Sequence, residues 1–219
     1  MKGCVCAQFR PVRFVEWKAI ALSIGGLCGQ RRGRLLDVGC GSGRFLTAMR
    51  SLRWEVMGVE PDPEAVKGAQ AEFGLNVFHG TLEEACLQSG YFDAITMNHV
   101  IEHLADPVGT LKECCRVLKP GGELVIVPPN IVSLGHKIFT RGWRGLEPPR
   151  YLYLFSPGTL PACAQRAGLN VQRLGWLDVY GRLAAQYDET TGLSNRASSL
   201  GQICWNRVLG CRVQVVPAE

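Results

Sequence analysis

The run Leu35-Leu36-Asp37-Val38-Gly39-Cys40-Gly41-Ser42-Gly43 restricts this chain to few folds: an apolar strand carrying one carboxylate meets three alternating glycines and then a helical pattern. Glycine is needed where the backbone turns with positive φ, or where a ligand must approach without meeting a Cβ. Strand, bare loop and helix in that order open a nucleotide-binding βαβ unit. Spacing narrows the ligand. A dinucleotide fingerprint needs G-x-G-x-x-G, with the helix start aimed at a pyrophosphate, but position 44 is Arg44 and the third glycine comes one residue early. A nicotinamide dehydrogenase is therefore the weakest reading. Asp37, two residues before the first glycine, would repel a pyrophosphate and attract an ammonium or sulfonium; S-adenosylmethionine carries both.

Further along, strands and helices alternate. A leading helix is expected over 14–30, strands at 34–38, 55–59, 76–79, 92–97 and 123–127, and helices at 43–53, 62–73, 82–88 and 106–118. The last of these ends at Lys119-Pro120-Gly121-Gly122, a proline and paired glycines that stop a helix. Such alternation implies a parallel sheet with helices on both faces. Beyond 130 the rhythm changes: Ile131 to Arg150 is a long connection of the kind that forms lids. Phe155-Ser156-Pro157-Gly158-Thr159-Leu160 then opens a helix, and strands follow over 169–174 and 212–216.

Length and charge set the frame. The 219 residues fit one α/β domain with a full core. The 24 basic and 19 acidic residues leave a net charge of +5, an excess that does not by itself call for nucleic acid. Arginines do gather at Arg31, Arg32 and Arg34 and at Arg141, Arg144 and Arg150. Ten cysteines show no regular spacing, so reduced thiols are expected. Cys4-x-Cys6 has no second ligand pair near it and Cys114-Cys115 lie in a helical pattern, which argues against structural zinc. The apolar stretch 19–29 is too short to span a bilayer, and no signal-peptide cleavage site follows Arg10 and Arg13. A cytoplasmic protein without a membrane span is expected, as a monomer or homodimer.

The loop Asp37 to Gly43 matches (D/E)-x-G-x-G-x-G, and Trp54 to Glu60 is a second strand ending in an acid at roughly the 20-residue distance of a ribose-binding carboxylate. With both features the chain resembles the class I S-adenosylmethionine-dependent methyltransferases. Within them it is most similar to small-molecule enzymes of the ubiquinone/menaquinone-biosynthesis type, through Tyr91-Phe92-Asp93-Ala94-Ile95-Thr96-Met97-Asn98-His99-Val100-Ile101-Glu102-His103-Leu104, Leu118-Lys119-Pro120-Gly121-Gly122 and Glu147-Pro148-Pro149-Arg150-Tyr151-Leu152-Tyr153-Leu154-Phe155-Ser156-Pro157. The resemblance implies a Rossmann-like α/β fold of seven mostly parallel strands, the last antiparallel. It implies one methyltransferase domain over 1–219, with an N-terminal helical segment at 1–33, a cofactor-binding half at 34–130 and a substrate side with the C-terminal strands at 131–219. It further implies that Asp37 holds the methionine ammonium, that Gly39, Gly41 and Gly43 admit the ligand, and that Glu60 takes the ribose hydroxyls. Cys40 packs in the loop, Pro61 and Asp62 flank the adenine, and Asn98 lines the sulfonium region. Strand three of the family ends in Gly-Asp, the acid facing the adenine amino group; here Gly80-Thr81 stand there, so the Thr81 hydroxyl or the Leu82 amide would substitute. S-adenosylhomocysteine would be the product.

Methyl transfer is an in-line displacement and needs mainly orientation, which can supply roughly 7–11 kcal/mol. A hydroxyl acceptor also needs a base, and His99, Glu102 and His103 follow strand four at the cofactor edge. The same H-x-x-E-H resembles the E-x-x-E-H metal site of ubiquinone-type and small-RNA 2′-O-methyltransferases, with His136 as a fourth ligand for a divalent metal; the reading without metal is the favoured one. A histidine usual in relatives is Tyr151 here. Tyr151, Tyr153, Trp143 and Phe139 form either a substrate wall or plain core. The expectation is methyl transfer to a small molecule at oxygen. The alternatives are nucleic-acid 2′-O-methylation, if the arginines form one face, and a non-catalytic cofactor-binding scaffold.

Overall fold

The computed structural model describes residues 33–140, 149–177, 183–186 and 208–214. Both faces of its sheet are covered, and the strands show it: neighbours Leu35 and Leu36 are each fully buried, as are Ala94 and Ile95. That double burial is what a parallel sheet requires. Strands β1 (Arg34–Val38), β2 (Glu55–Glu60), β3 (Val77–His79), β4 (Phe92–Asn98) and β5 (Leu118–Val127) pair in parallel in the order β3-β2-β1-β4-β5. Helices α1 (Arg44–Ser51), α2 (Pro63–Phe73), α3 (Pro107–Val117), α4 (Leu134–Phe139) and α5 (Thr159–Arg166) connect or flank them. Beyond β5 the order continues with β8 (Val208–Gln214), β6 (Asn170–Leu177) and β7 (Leu183–Gln186), each antiparallel to its neighbour.

Two apolar clusters sandwich the sheet. Leu35, Ala94, Val125 and Val127 pack with Phe45, Leu46 and Met49 of α1 and Val66 and Ala69 of α2. Leu36, Ile95, Met97, Leu124 and Ile126 pack with Leu111, Cys114 and Val117 of α3 and Leu160 and Ala164 of α5. The helices start where the sequence supplies caps: Asp62 accepts from the Glu64 N–H at 3.0 Å and Asp106 from the Gly109 N–H at 2.9 Å, each followed by proline at the first helical position. Helix α2 stops at Gly74, in the left-handed conformation at φ 57°.

Four details depart from the sequence reading. The helix expected over 82–88 is a run of turns at 82–86, broken where Cys86 takes φ 45°. Strand β5 begins at Leu118 directly after α3, so Lys119 to Gly122 lie within the strand, and its register against β4 slips between Phe92 and Ala94. The connection after 130 carries α4, capped by Ser133. Among the described residues the sheet has eight strands rather than the seven expected, because β7 adds to the edge beyond β6. The expected helix 14–30, Arg31, Arg32, Arg141, Trp143 and Arg144 lie outside the described residues.

Candidate active site

The carboxyl ends of β1, β2, β3 and β4 lie side by side, and each contributes a polar group. Asp37, one residue from the end of β1, is 4 % exposed. It stands in register with Thr96 of β4, whose hydroxyl donates to Asp37 Oδ1 at 2.6 Å. Burial pushes the Asp37 carboxyl up to about 7; the Thr96 hydrogen bond opposes this and the Glu60 charge adds to it. Beyond Val38 the glycine loop is pinned to β2, with the Gly39 and Cys40 N–H groups donating to the Val59 carbonyl at 2.8 and 3.2 Å.

The three glycines have different reasons to be glycine. All take positive φ, at 70°, 51° and 73°. A Cβ at Gly39 would strike Val100 and one at Gly43 would strike Leu75, whereas one at Gly41 would meet nothing within 4 Å. Gly39 and Gly43 serve packing, and Gly41 leaves bare backbone facing open space. The Gly41 N–H donates to Glu60 Oε2 at 2.7 Å and the Asp62 N–H to Glu60 Oε1 at 3.0 Å. Glu60, 9 % exposed, is thus held across the loop from both sides. Cys40 is buried with its thiol held well above the usual range by burial, which makes it a packing residue.

At the end of β3 the Gly80 N–H donates to the Glu60 carbonyl at 3.0 Å. Thr81 and Glu84 bond reciprocally: the Thr81 N–H donates to Glu84 Oε2 at 2.8 Å and the Glu84 N–H to Thr81 Oγ1 at 3.3 Å. Glu84 is a residue that the sequence reading passed over, although Thr81-Leu82-Glu83-Glu84 has the S/T-x-x-E form of a capping box. Thr96 was also missed as a partner of Asp37; a polar residue inside an apolar strand was the available signal.

Asn98 ends β4, half-buried. His99 follows at φ 55°, a conformation uncommon for a side-chain-bearing residue and typical of functional turns. Its N–H donates to the Val127 carbonyl at 2.9 Å. Its ring, 47 % exposed, brings Nδ1 to 3.3 Å from Oε1 of Glu102, whose side chain is 1 % exposed. Glu102 Oε2 is buried and makes no hydrogen bond among the described residues. The Glu102 carbonyl accepts from the Leu152 and Tyr153 N–H groups at 2.8 and 3.2 Å, so the turn Ile101–His103 carries the 149–155 segment on its back. His103 turns toward that segment: its Nδ1 lies 2.8 Å from the Arg150 carbonyl and its ring 5.0 Å from that of Tyr151. His99 and Glu102 are brought together, and His103 is turned elsewhere. Among the described residues no three His, Cys, Asp or Glu side chains are grouped to hold a metal.

The aromatic residues divide. Phe139 and Tyr153 are 48 % and 41 % exposed, which removes the plain-core reading for both. Arg34 stacks on Tyr91 at 4.2 Å and pairs with Glu55 at 3.3 Å, at the amino end of β1 and away from the loops just described.

A family described as "Methyltransferase domain" matches residues 12–174. The ubiquinone biosynthesis O-methyltransferase of Xanthomonas axonopodis pv. citri is 31 % identical over 198 residues, 85 % of this chain and 78 % of that protein. Among solved structures, an S-adenosylmethionine-dependent methyltransferase from Archaeoglobus fulgidus superposes with a TM-score of 0.66 at 21 % identity, over 90 % of this chain and 92 % of that one. The Burkholderia thailandensis 1,6-didemethyltoxoflavin-N1-methyltransferase, solved with its substrate and S-adenosylhomocysteine, superposes with a TM-score of 0.64 at 14 % identity, over 94 % and 80 % of the two chains.

Proposed function

Because this chain belongs to the methyltransferase-domain family and is a class I S-adenosylmethionine-dependent methyltransferase, we propose that it methylates a hydroxyl oxygen of a small-molecule acceptor, with His99 as the base. The residues at the strand ends fit the cofactor. Gly41 offers backbone where a Cβ would find only open space, and Asp37 and Glu60 are buried carboxylates suited to an ammonium and to a ribose diol. Pro61, Asp62 and Leu82 border the place for the base, and Asn98 the place for the sulfur. When bound, S-adenosylmethionine supplies a methyl carbon already activated by positive sulfur. The protein's part is to hold the acceptor in line and to take its proton.

The observation that carries the choice of oxygen is the His99–Glu102 pair. A carboxylate accepts from Nδ1–H, so this pairing selects the tautomer whose Nε2 lone pair is free to take a proton. The ring is half-exposed while its partner is buried, so the base faces outward and its orienting group is fixed. A hydroxyl needs such a base; a neutral amine attacks without one. Glu102 is the positioning residue. The exposed apolar side chains Val132, Leu152 and Leu154 on loops, and Phe139 at the end of α4, suit an acceptor with an apolar body. The ubiquinone-biosynthesis relatives bear O-methyltransferase in their name, which supports the same choice. We divide the labour so that the cofactor half ends at 130 and acceptor contacts come from the loops after β4 and β5.

The test is turnover of a panel of phenols, catechols and amines with S-adenosylmethionine, comparing wild type with His99→Ala. Hydroxyl acceptors should dominate, and His99→Ala should lower kcat by roughly 10²–10⁴ while leaving S-adenosylhomocysteine binding within about threefold. Turnover confined to amines, or undiminished in His99→Ala, defeats the reading. A chelator should change the rate less than about twofold; a loss restored by Mg²⁺ would return His99, Glu102, His103 and His136 to the metal reading.

A further inference from the structure

The end of β3 holds an acceptor, on Glu84, that nothing in the cofactor scheme yet uses, beside the Leu82 N–H already placed at the base. Thr81 is tied to Glu84 in both directions, its N–H giving to Oε2 and its hydroxyl oxygen taking the Glu84 N–H. That leaves two groups beside it. Glu84 Oε1 makes no hydrogen bond or ion pair among the described residues, and neither does the Leu82 N–H. The carboxylate lies where it does because residue 80 is glycine: a Cβ there would come within 2.7 Å of Glu84 Oε2, at φ 145°. Gly80 therefore forms a notch that the Glu84 carboxylate fills.

The notch adjoins the cofactor's place. Gly80 is hydrogen-bonded to the Glu60 backbone and β3 is the neighbour of β2 in the sheet. His79 Nε2 lies 3.2 Å from the Pro61 carbonyl. With the ribose held by Glu60, the base would be bordered by Pro61, Asp62 and the end of β3. An adenine presents there an amino donor at N6 and an acceptor at N1. A hypoxanthine presents the reverse, an acceptor at O6 and a donor at N1.

Resting on the cofactor assignment above, we propose that Glu84 Oε1 and the Leu82 N–H read the adenine edge, Glu84 accepting from N6 and Leu82 donating to N1. Glu84, three residues beyond Thr81, then supplies the acid that this chain lacks at position 81. Acceptor and donor together discriminate adenine from hypoxanthine, an effect of roughly 5- to 150-fold for a well-made two-point contact to a base edge.

The experiment is calorimetric titration of the full chain with S-adenosylhomocysteine and S-inosylhomocysteine, in wild type, Glu84→Gln and Glu84→Ala. Wild type should bind the adenosyl ligand about tenfold or more tightly. Glu84→Gln keeps an oxygen for the Thr81 N–H and turns its amide NH₂ outward, so the preference should collapse to within about threefold or reverse. Glu84→Ala should show the same collapse through weaker adenosyl binding. Both ligands are titrated into one preparation, so partial unfolding cancels from the ratio; a purely structural cap would weaken both alike and leave the ratio unchanged. An unchanged ratio in either variant, or no preference in wild type, overturns the assignment of Glu84 while leaving the cofactor site standing. Failure of wild type to bind the adenosyl ligand overturns the cofactor assignment and this one with it.

Discussion

At the scale of single residues, Asp37 carries the most specific consequence. It is buried with Thr96 on one oxygen, faces Glu60 from β2 and lies beside the buried Cys40 thiol; no cation is among these neighbours. Its carboxyl, raised to about 7 by burial, is mostly neutral in the free protein at pH 5–6. An ammonium requires the carboxylate, so S-adenosylhomocysteine binding should release a proton below pH 7. Affinity should then rise up to about tenfold per pH unit from pH 5 toward 7 and level off above it. The stability dependence has the opposite sense. Between the ordinary value of 3.8 and about 7 the folded chain holds a proton that the unfolded chain has lost, so Asp37 makes stability fall as pH rises through that window. Calorimetry at pH 5.5, 6.5 and 7.5 in two buffers of different ionisation enthalpy measures the proton release; a pH-independent affinity in wild type would remove Asp37 from the ammonium site. Asp37 was legible in the sequence because its chemistry follows from its own type and its distance to the glycines. The His99–Glu102 pair was legible only as candidates, since which of three adjacent groups meet depends on the positive φ at His99, which no spacing announces.

At the scale of elements, the joint between the glycine loop and β2 decides how rigidly the cofactor loop is held. Gly58 of β2 faces Cys40: a Cβ there would lie 2.5 Å from Cys40 Sγ and 2.9 Å from Leu46 Cδ1. Gly58→Ala should therefore destabilise by about 1–3 kcal/mol through overpacking, read as a lower urea midpoint with unchanged slope. Adding Cys40→Ala removes the sulfur, and the double variant should be less destabilised than the two single changes summed. Strict additivity would mean that Cys40 does not lock the loop to the strand. Most elements were readable because apolar periodicity, caps and glycines agree with one another. The turns at 82–86 were not, since the capping box Thr81 to Glu84 starts a helix that Cys86, at φ 45°, then ends within one turn. Nor was the early start of β5, where Pro120 and Gly121 lie inside a strand that the sequence pattern has them precede.

At the scale of the whole molecule, the sheet order separates two tasks. The residues proposed for the cofactor stand at the carboxyl ends of β1 to β4, in the parallel half, while the antiparallel strands β8, β6 and β7 extend from β5. The parallel half was legible as alternating strand and helix; the strand count was not, because β7 is four residues long, too short for its Leu-Ala-Ala-Gln to show a strand's alternation. The halves meet where β5 pairs with β8, while the places proposed for the cofactor, on β1 and β2, and for the acceptor, beside the 149–155 segment that rests on the Glu102 carbonyl, meet at Asn98 and His99. A ligand that ties the ends of four strands together binds the folded state alone, so it should raise the melting temperature by mass action. At 100 times its Kd, S-adenosylhomocysteine should add about 2.7 kcal/mol. For a domain of this size each kcal/mol is worth about 2–4 °C, so thermal melts should shift upward by about 5–11 °C. The same concentration of NADH should leave them unchanged, because the third glycine at position 43 offers no pyrophosphate turn and Asp37 opposes the charge. A comparable shift with NADH would mean that the loop selects for the nucleoside alone, and that Asp37 plays no part in choosing between cofactors.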